Sequence, residues 1–333
     1  MKRRDFLKIG SAGLAGSLLG GAGLLSWTPR ASAATIDRTF YVTEGTITQP
    51  DGSDVYFRGF SASGTGLNVP GSSLVVQEGD TLRITVINTL DVDTSFVIDG
   101  LVDSGPIGPG QTRTVEFTVD QAGSYLYHDG LNAPYNRLLG LHGGLAVMPA
   151  GSSNELYPGS PTFVQQYLWL INEVDPVWHA DLARRRNPTT AFEPRYFTIN
   201  GRSMRVPGHP DYANPAVDAG YATDTRLVGS LGDRTLVRIL NAGLCIHSVH
   251  FHANHVEWLA TNGQPRPDVW LKDSLRLPAD KGGIDVIYPF EAPPDAWPPV
   301  STGHYPMHFH DEMTQTAGGG LYQFGIATTI SFE

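Results

Sequence analysis

Thr81-Leu82-Arg83-Ile84-Thr85-Val86-Ile87 alternates polar and apolar side chains as far as Val86. Successive side chains of a strand point to opposite faces, so this period of two describes a half-buried strand and not a helix. The same period runs through Thr39-Phe40-Tyr41-Val42-Thr43 upstream and Thr112-Arg113-Thr114-Val115-Glu116-Phe117-Thr118-Val119 downstream. Pro50-Asp51-Gly52, Gly79-Asp80 and Gly108-Pro109-Gly110 separate the runs as turns. Strand-like stretches at 123–128 and 143–149 complete a first series, and 150–161 reads as a linker. A second series follows at 163–171, 236–240, 284–288 and 327–332. Between them, 175–224 is rich in Pro, Asn, Asp and Gly and reads as long loops, with one strand around 195–199. The pattern predicts an all-β chain: two Greek-key β-sandwich domains, 34–150 and 151–333, with helix confined to short pieces.

The chain has 333 residues, 41% of them hydrophobic, which suits two domains with real cores. Residues 1–33 read differently. Arg3-Arg4-Asp5-Phe6-Leu7-Lys8 is followed by a mild apolar run laced with Gly and Ser, then by Ala31-Ser32-Ala33. This resembles a twin-arginine export signal ending in a small-residue cleavage site, and it predicts a periplasmic or otherwise exported protein. The alternative is an uncleaved anchor, but the run is weakly apolar for a membrane span, so no stable membrane anchor is expected. Five basic residues and one acidic residue fall in that segment. The remainder carries 18 basic against 32 acidic residues, a net charge of −14. That excess argues against nucleic acid as a partner. A small molecule or metal ion is the expected substrate class. Arg184-Arg185-Arg186 reads as a solvated loop, and the single cysteine, Cys245, excludes an internal disulfide.

Chemistry concentrates in the histidines. Seven of the eleven lie in two short segments, His247-Ser-Val-His250-Phe-His252-Ala-Asn-His255 and His304-Tyr-Pro-Met-His308-Phe-His310-Asp-Glu312. Residues two apart on a strand share a face, so His250 projects with His252 and His308 with His310. If the two strands are neighbours, four imidazoles converge. Such a donor set suits copper, zinc, iron or nickel and is costly to bury without one. Glu312 has the parity of His308 and His310, and either reaches the metal, orients a ligand or is a surface carboxylate. His255 and His304 read as rim residues, and Met307 and Met313 as core packing. His179 and His209 read as exposed loop residues, His142 as a residue of a subunit contact, and Cys245 as a small buried apolar residue.

These motifs resemble the multicopper oxidases, which carry His-Pro-x-His-x-His-Gly-His in the last domain and end on Pro-Met-His-Cys-His. The chain offers His247 to His255, preceded by Asn241-Ala242-Gly243, and Pro306-Met307-His308-Phe309-His310. The first-domain Tyr-x-Tyr-His-x-His motif is matched by Tyr125-Leu126-Tyr127-His128-Asp129-Gly130. The likeness spans the mature chain, and its two-domain layout is similar to small laccases and copper nitrite reductases. It implies cupredoxin-like domains, copper as cofactor, an oxidoreductase activity and a homotrimer whose metal lies between subunits. The departures are as informative. Phe309 stands where the type 1 copper cysteine belongs and Thr314 where its second histidine belongs, so only His247 of that site remains. No blue site is expected. In the first domain His-Trp-His-Gly has become Val97-Ile98-Asp99-Gly100, and the second histidine of the other motif is Gly130. Carried over residue by residue, the resemblance implies metal ligands His128, His250, His252, His308 and His310. His128 and His310 would share one copper with Asp99, acting as an oxygen ligand or as a catalytic acid–base group. His252 and His308 would share a second, and His250 would stand nearly alone. His128 read by itself is equally a buried, hydrogen-bonded imidazole, and Asp99 an ordinary turn residue. One or two copper ions are implied rather than three. A non-catalytic copper carrier and a metal-free scaffold are the rival readings.

Overall fold

The structure, a computed structural model, describes residues 23–152, 154–205, 225–292, 302–322 and 324–333. Residues 1–22, with the paired arginines, and His209 lie outside the described residues.

Strands from Thr35 to Met148 build one pair of sheets. Asp54–Ser61, Thr35–Thr48, Thr81–Asn88 and Thr112–Thr118 form the first in that spatial order. Gly71–Gln77, His142–Met148, Gly123–His128, Val97–Ile98 and Val102–Asp103 form the second. The alternation at 81–87 explains the packing: Leu82, Ile84 and Val86 are 0% exposed, while Arg83 and Thr85 bond across the open face to Glu116 and Thr114. The inward faces enclose Phe40, Phe60, Phe96 and Tyr127, rings 5.3–6.0 Å apart.

Strands from Gln165 onward build a second pair. Its larger sheet runs Gln264–Lys272, Val256–Thr261, Gly283–Pro289, Arg234–Asn241, Gln165–Val174, Tyr196–Ile199 and Thr316–Ala317. The smaller runs Leu227–Gly229, Ala327–Phe332, Gly303–Phe309, His247–Phe251 and Ser274–Leu277. In both pairs spatial order departs from chain order, the mark of Greek-key connection. Helix is confined to short pieces such as Tyr135–Leu138 and Pro176–Ala183.

The two sandwiches meet through Leu126 and Ala146 on one side and Leu168, Leu170, Leu240 and Ala242 on the other. A Cβ on Gly144 would lie 2.2 Å from Leu168, so only glycine permits this approach. Beside it Arg238, fully buried, donates to Gln166 Oε1 (3.0 Å) and Ser124 Oγ (2.9 Å), and Ser124 bonds Asp285.

Three expectations are corrected. Residues 23–33 were expected outside the fold, yet Leu24–Leu25 pairs with Tyr167 and Gln166, and Leu25 packs between Leu126, Leu168 and Leu170. Arg30 ion-pairs Asp80, so this apolar and charged stretch finds partners on both sandwiches. His179 lies not in an exposed loop but on Pro176–Ala183, a helix that Asp175 caps and Pro176 opens. It is buried edge-on to Phe57 with Nδ1 2.6 Å from the Tyr56 carbonyl. His142 is 1% exposed and bonded to the Arg137 carbonyl, which removes it from any subunit contact.

Candidate metal centre

His247–Phe251 pairs antiparallel with Gly303–Phe309, and His250 stands directly opposite His308. Val249, Phe251, Met307 and Phe309 are 0–1% exposed and anchor both strands in the core. The period of two then turns His250 and His308 to the other face. His252 and His310 lie just past the strand ends. Tyr288 Oη donates to the His252 carbonyl (2.9 Å), and the His310 N–H donates to the Ser248 carbonyl (2.9 Å). Ala253, at φ 68°, turns the chain away after His252.

The four rings converge. Centroids are 4.3 Å apart for His250 and His310, 4.5 Å for His250 and His252, and 5.3 Å for His252 and His308. One ring nitrogen from each of His250, His308 and His310 lies within 4.8 Å of the others. His252 Nε2 and His308 Nε2 are 3.1 Å apart. Two nitrogens bound at the usual 2.0–2.1 Å to one ion would stand roughly 2.9–3.3 Å apart, so this spacing fits a shared metal. The opposite nitrogens are spoken for: His308 Nδ1 faces the Phe309 carbonyl (3.1 Å), and His250 Nδ1 faces the Asp273 carbonyl (3.2 Å) and Ser274 Oγ (3.1 Å). With Nδ1–H donated there, Nε2 presents a lone pair, the arrangement in which protein imidazoles hold metals. Burial, and after it the neighbouring rings, pushes the His250 and His308 pKa values down and that of His252 to about 4. These rings are therefore neutral at neutral pH, as ligands must be. The residues fit an imidazole-bound metal, and exposed His310 leaves the centre open to solvent on one side.

His250, expected nearly alone, is the middle of the cluster. Among the described residues of the single chain the metal-capable group contains no first-domain side chain, and the site implied for His128 lies between two subunits. His128 is buried at the end of Gly123–His128, with Nδ1 3.0 Å from the Asp129 carbonyl and Nε2 3.3 Å from Asp99 Oδ1. Asp99 also bonds Lys281 Nζ at 2.6 Å. Burial pulls the Asp99 carboxyl up, but Lys281 and His128 outweigh it and leave it below the ordinary range.

His247 has no free nitrogen for a metal, since Nε2 meets Glu173 Oε1 at 2.6 Å and Nδ1 meets Asp311 Oδ2 at 3.3 Å. Phe309 packs on it, 5.2 Å between rings. Glu312 falls in a 3-10 turn, Glu312–Gln315, that breaks the strand parity and leaves it exposed. His255 is exposed, and Met313 is 51% exposed and outside the core. Cys245 is half-buried rather than fully so, and burial, with Glu173 and Asp311 nearby, pushes its thiol up to about 12.

Sequence reading missed Asp273 and Lys281, which sit in bends, and Ser274, which opens the strand Ser274–Leu277; none is marked by a distinguishing pattern. Glu173 was detectable in principle, as a carboxylate just after the apolar run Tyr167–Ile171 of the strand Gln165–Val174.

Residues 53–152 match the family model described as Multicopper oxidase. The copper-containing nitrite reductase of Alcaligenes xylosoxydans xylosoxydans is 29% identical over 267 residues, covering 74% of this chain and 75% of that protein. The copper-containing nitrite reductase of Pseudomonas chlororaphis is 30% identical over 250 residues, 68% of this chain and 64% of that one. The multicopper oxidase mco of Staphylococcus aureus is 32% identical over 112 residues, 29% of this chain and only 25% of that protein. Among solved structures, the blue copper oxidase of Nitrosomonas europaea superposes with TM-score 0.70 at 20% identity, over 89% of this chain and 85% of that one. The copper nitrite reductase of the same organism gives 0.65 at 20% identity, over 90% and 94%. At that identity the superpositions speak to the fold, which is that of cupredoxin domains. The family model over residues 53–152 and the sequence relatives make this chain similar to the multicopper oxidases and the copper-containing nitrite reductases.

Proposed function

We propose that this protein is an exported copper oxidoreductase whose copper is held by His250, His252, His308 and His310, without a type 1 blue site. The observation that carries the reading is the convergence of those four rings, three of them with depressed pKa values and two Nε2 atoms 3.1 Å apart. Copper bound there would supply a one-electron couple and a Lewis acid for a small ligand. The chain's own residues do the rest. Asp273 and Ser274 aim the His250 ring, Phe309 aims its carbonyl at His308, and the exposed edge at His310 admits a small solute. With His247 engaged by two carboxylates and Phe309 in the cysteine's place, no relay reaches the site through the protein core. The electron donor therefore binds at the metal. Nitrite is the first substrate to test, since two of the relatives that cover most of the chain are named for reducing it.

The occupied His247 also favours a second reading, a copper-binding protein for tolerance or delivery that does no chemistry. Export by the twin-arginine route and assembly as a homotrimer belong to the proposal through the sequence resemblance.

The test is elemental analysis and electron paramagnetic resonance after copper loading, followed by turnover with nitrite, phenols, and ferrous and cuprous ions. Bound copper with nitrogen hyperfine structure and turnover of one of these is the expected result. Bound copper without turnover selects the carrier. Absence of copper at micromolar protein, or full copper retention in H308A/H310A, defeats both readings. Sizing at three times the chain mass is expected for the assembly.

A further inference from the structure

The first-domain half of the family's metal site has been refilled by protein atoms. His128 stands opposite Val97 across Val97–Ile98 and Gly123–His128. A Cβ on Gly130 would meet Val97 Cγ2 at 2.9 Å. Positions 97 and 130, where the resemblance puts two imidazoles, therefore pack on each other and leave no room for a second ring beside His128. The remaining oxygen donor is also engaged. Asp99 reaches His128 Nε2 with one oxygen (3.3 Å) and Lys281 Nζ with the other (2.6 Å), so a lysine ammonium supplies the positive charge that a metal ion would.

Lys281 is not there by chance of a loose loop. It occupies the turn Ala279-Asp280-Lys281-Gly282, closed by a bond from the Gly282 N–H to the Ala279 carbonyl. Asp280 and Lys281 have φ of 50° and 70°, a left-handed conformation that costs energy for two consecutive non-glycine residues. Four contacts hold it. The N–H groups of Asp280 and Lys281 donate to the Gly243 and Asn241 carbonyls, Arg137 pairs with Asp280 at 2.5 Å, and Asp99 pairs with Lys281. Arg137 and Asp99 belong to the first sandwich and the turn to the second. Arg137 further donates to the Ala242 carbonyl (2.8 Å).

We propose that His128, Asp99 and Lys281 form a metal-free hydrogen-bonded triad that clasps the two sandwiches together, and that copper is confined to the second-domain histidines. The first-domain residues do not fit a copper ion, and the clasp ties the two domains of one chain together at this point. The inference uses the copper reading for one of its two readouts.

The experiment compares wild type, D99N, K281M and D99N/K281M by copper content and paramagnetic resonance after loading, and by thermal unfolding of the copper-free chain. Asp99 and Lys281 are partly exposed, so the variants fold and the effects are small. Copper per chain and spectrum are expected unchanged in all three variants. Each single substitution lowers the unfolding midpoint by about 1–3 °C, and the double variant falls no further than the larger single one. Loss of a copper equivalent or an altered spectrum in D99N overturns the proposal, as do additive thermal shifts. A wild type that binds no copper defeats the functional reading alone, and the thermal cycle then still decides the clasp.

Discussion

His247 Nε2 stands 2.6 Å from Glu173 Oε1, with the two side chains 1% and 0% exposed. Glu173 also accepts the Leu244 N–H at 2.6 Å, and a Cβ on Gly243 would collide with its carboxylate at 2.2 Å. The histidine that the resemblance assigns to a type 1 copper has become one half of a buried, fully bonded pair. Burial pushes its pKa down, but Asp311 and Glu173 prevail and leave it raised. Breaking such a pair strands a charge without solvent. E173Q is therefore expected to lose about 3–5 kcal/mol of stability, measured by urea unfolding at pH 6. Because the folded pKa is raised, the contribution is complete below the unfolded value near 6.5 and fades as pH climbs through the folded one. The gap between wild type and E173Q should narrow toward alkaline pH. A gap under 1 kcal/mol at pH 6 would contradict the pairing.

His142 and His179 act in the opposite sense. Both are fully buried, and desolvation takes each to a pKa of about 4. The unfolded chain binds these protons near pH 6.5 and the folded chain does not, so acid favours unfolding. Stability is complete above about 6.5 and is lost as pH falls toward 4, by roughly 3 kcal/mol per histidine. H179Q removes one of the two titrations. Its stability profile should run parallel to wild type above pH 7 and converge with it below pH 5. Profiles that stay parallel down to pH 4.5 would exclude a neutral buried His179.

The sandwich pattern was legible because the strands at 35–48, 81–88 and 112–118 each bury one face, and a period of two records that fact directly. The four-histidine face was legible for the same reason, since Val249, Phe251, Met307 and Phe309 are core residues that fix the parity of their neighbours. What stayed hidden depends on contacts far apart in the chain. Glu173 meets His247 across 74 residues, and Lys281 meets Asp99 from the other sandwich. No local period carries such pairings. Of the roles open to Glu312, the exposed position matches the surface carboxylate, because parity ends where the strand ends, at Phe309.

Ser274 gives a direct test of how the His250 ring is aimed. Its Oγ lies 3.1 Å from Nδ1, alongside the Asp273 carbonyl at 3.2 Å. Outer partners of this kind tune metal affinity by 10–100-fold. S274A keeps the carbonyl, so a loss near the lower end, about 10-fold in copper affinity by competition titration, is expected with little change in unfolding midpoint. Unchanged affinity would mean that the carbonyl alone orients the ring.

Gly144 tests whether the interdomain contact is as tight as it is drawn. Its strand, His142–Met148, faces Leu168 so closely that an added methyl would sit 2.2 Å from Leu168 Cδ2. Leucine can withdraw only by leaving its place among Leu126, Leu170 and Ala146. Overpacking of this kind costs about 1–3 kcal/mol. G144A should lose that much, and in G144A/L168A the overpacking loss should be partly absent, because the smaller side chain opens the space the methyl needs. L168A alone removes a buried leucine and is expected to cost 2–5 kcal/mol. The informative quantity is therefore the coupling between the two sites: a double variant less destabilised than the sum of the singles supports the contact, and strict additivity refutes it.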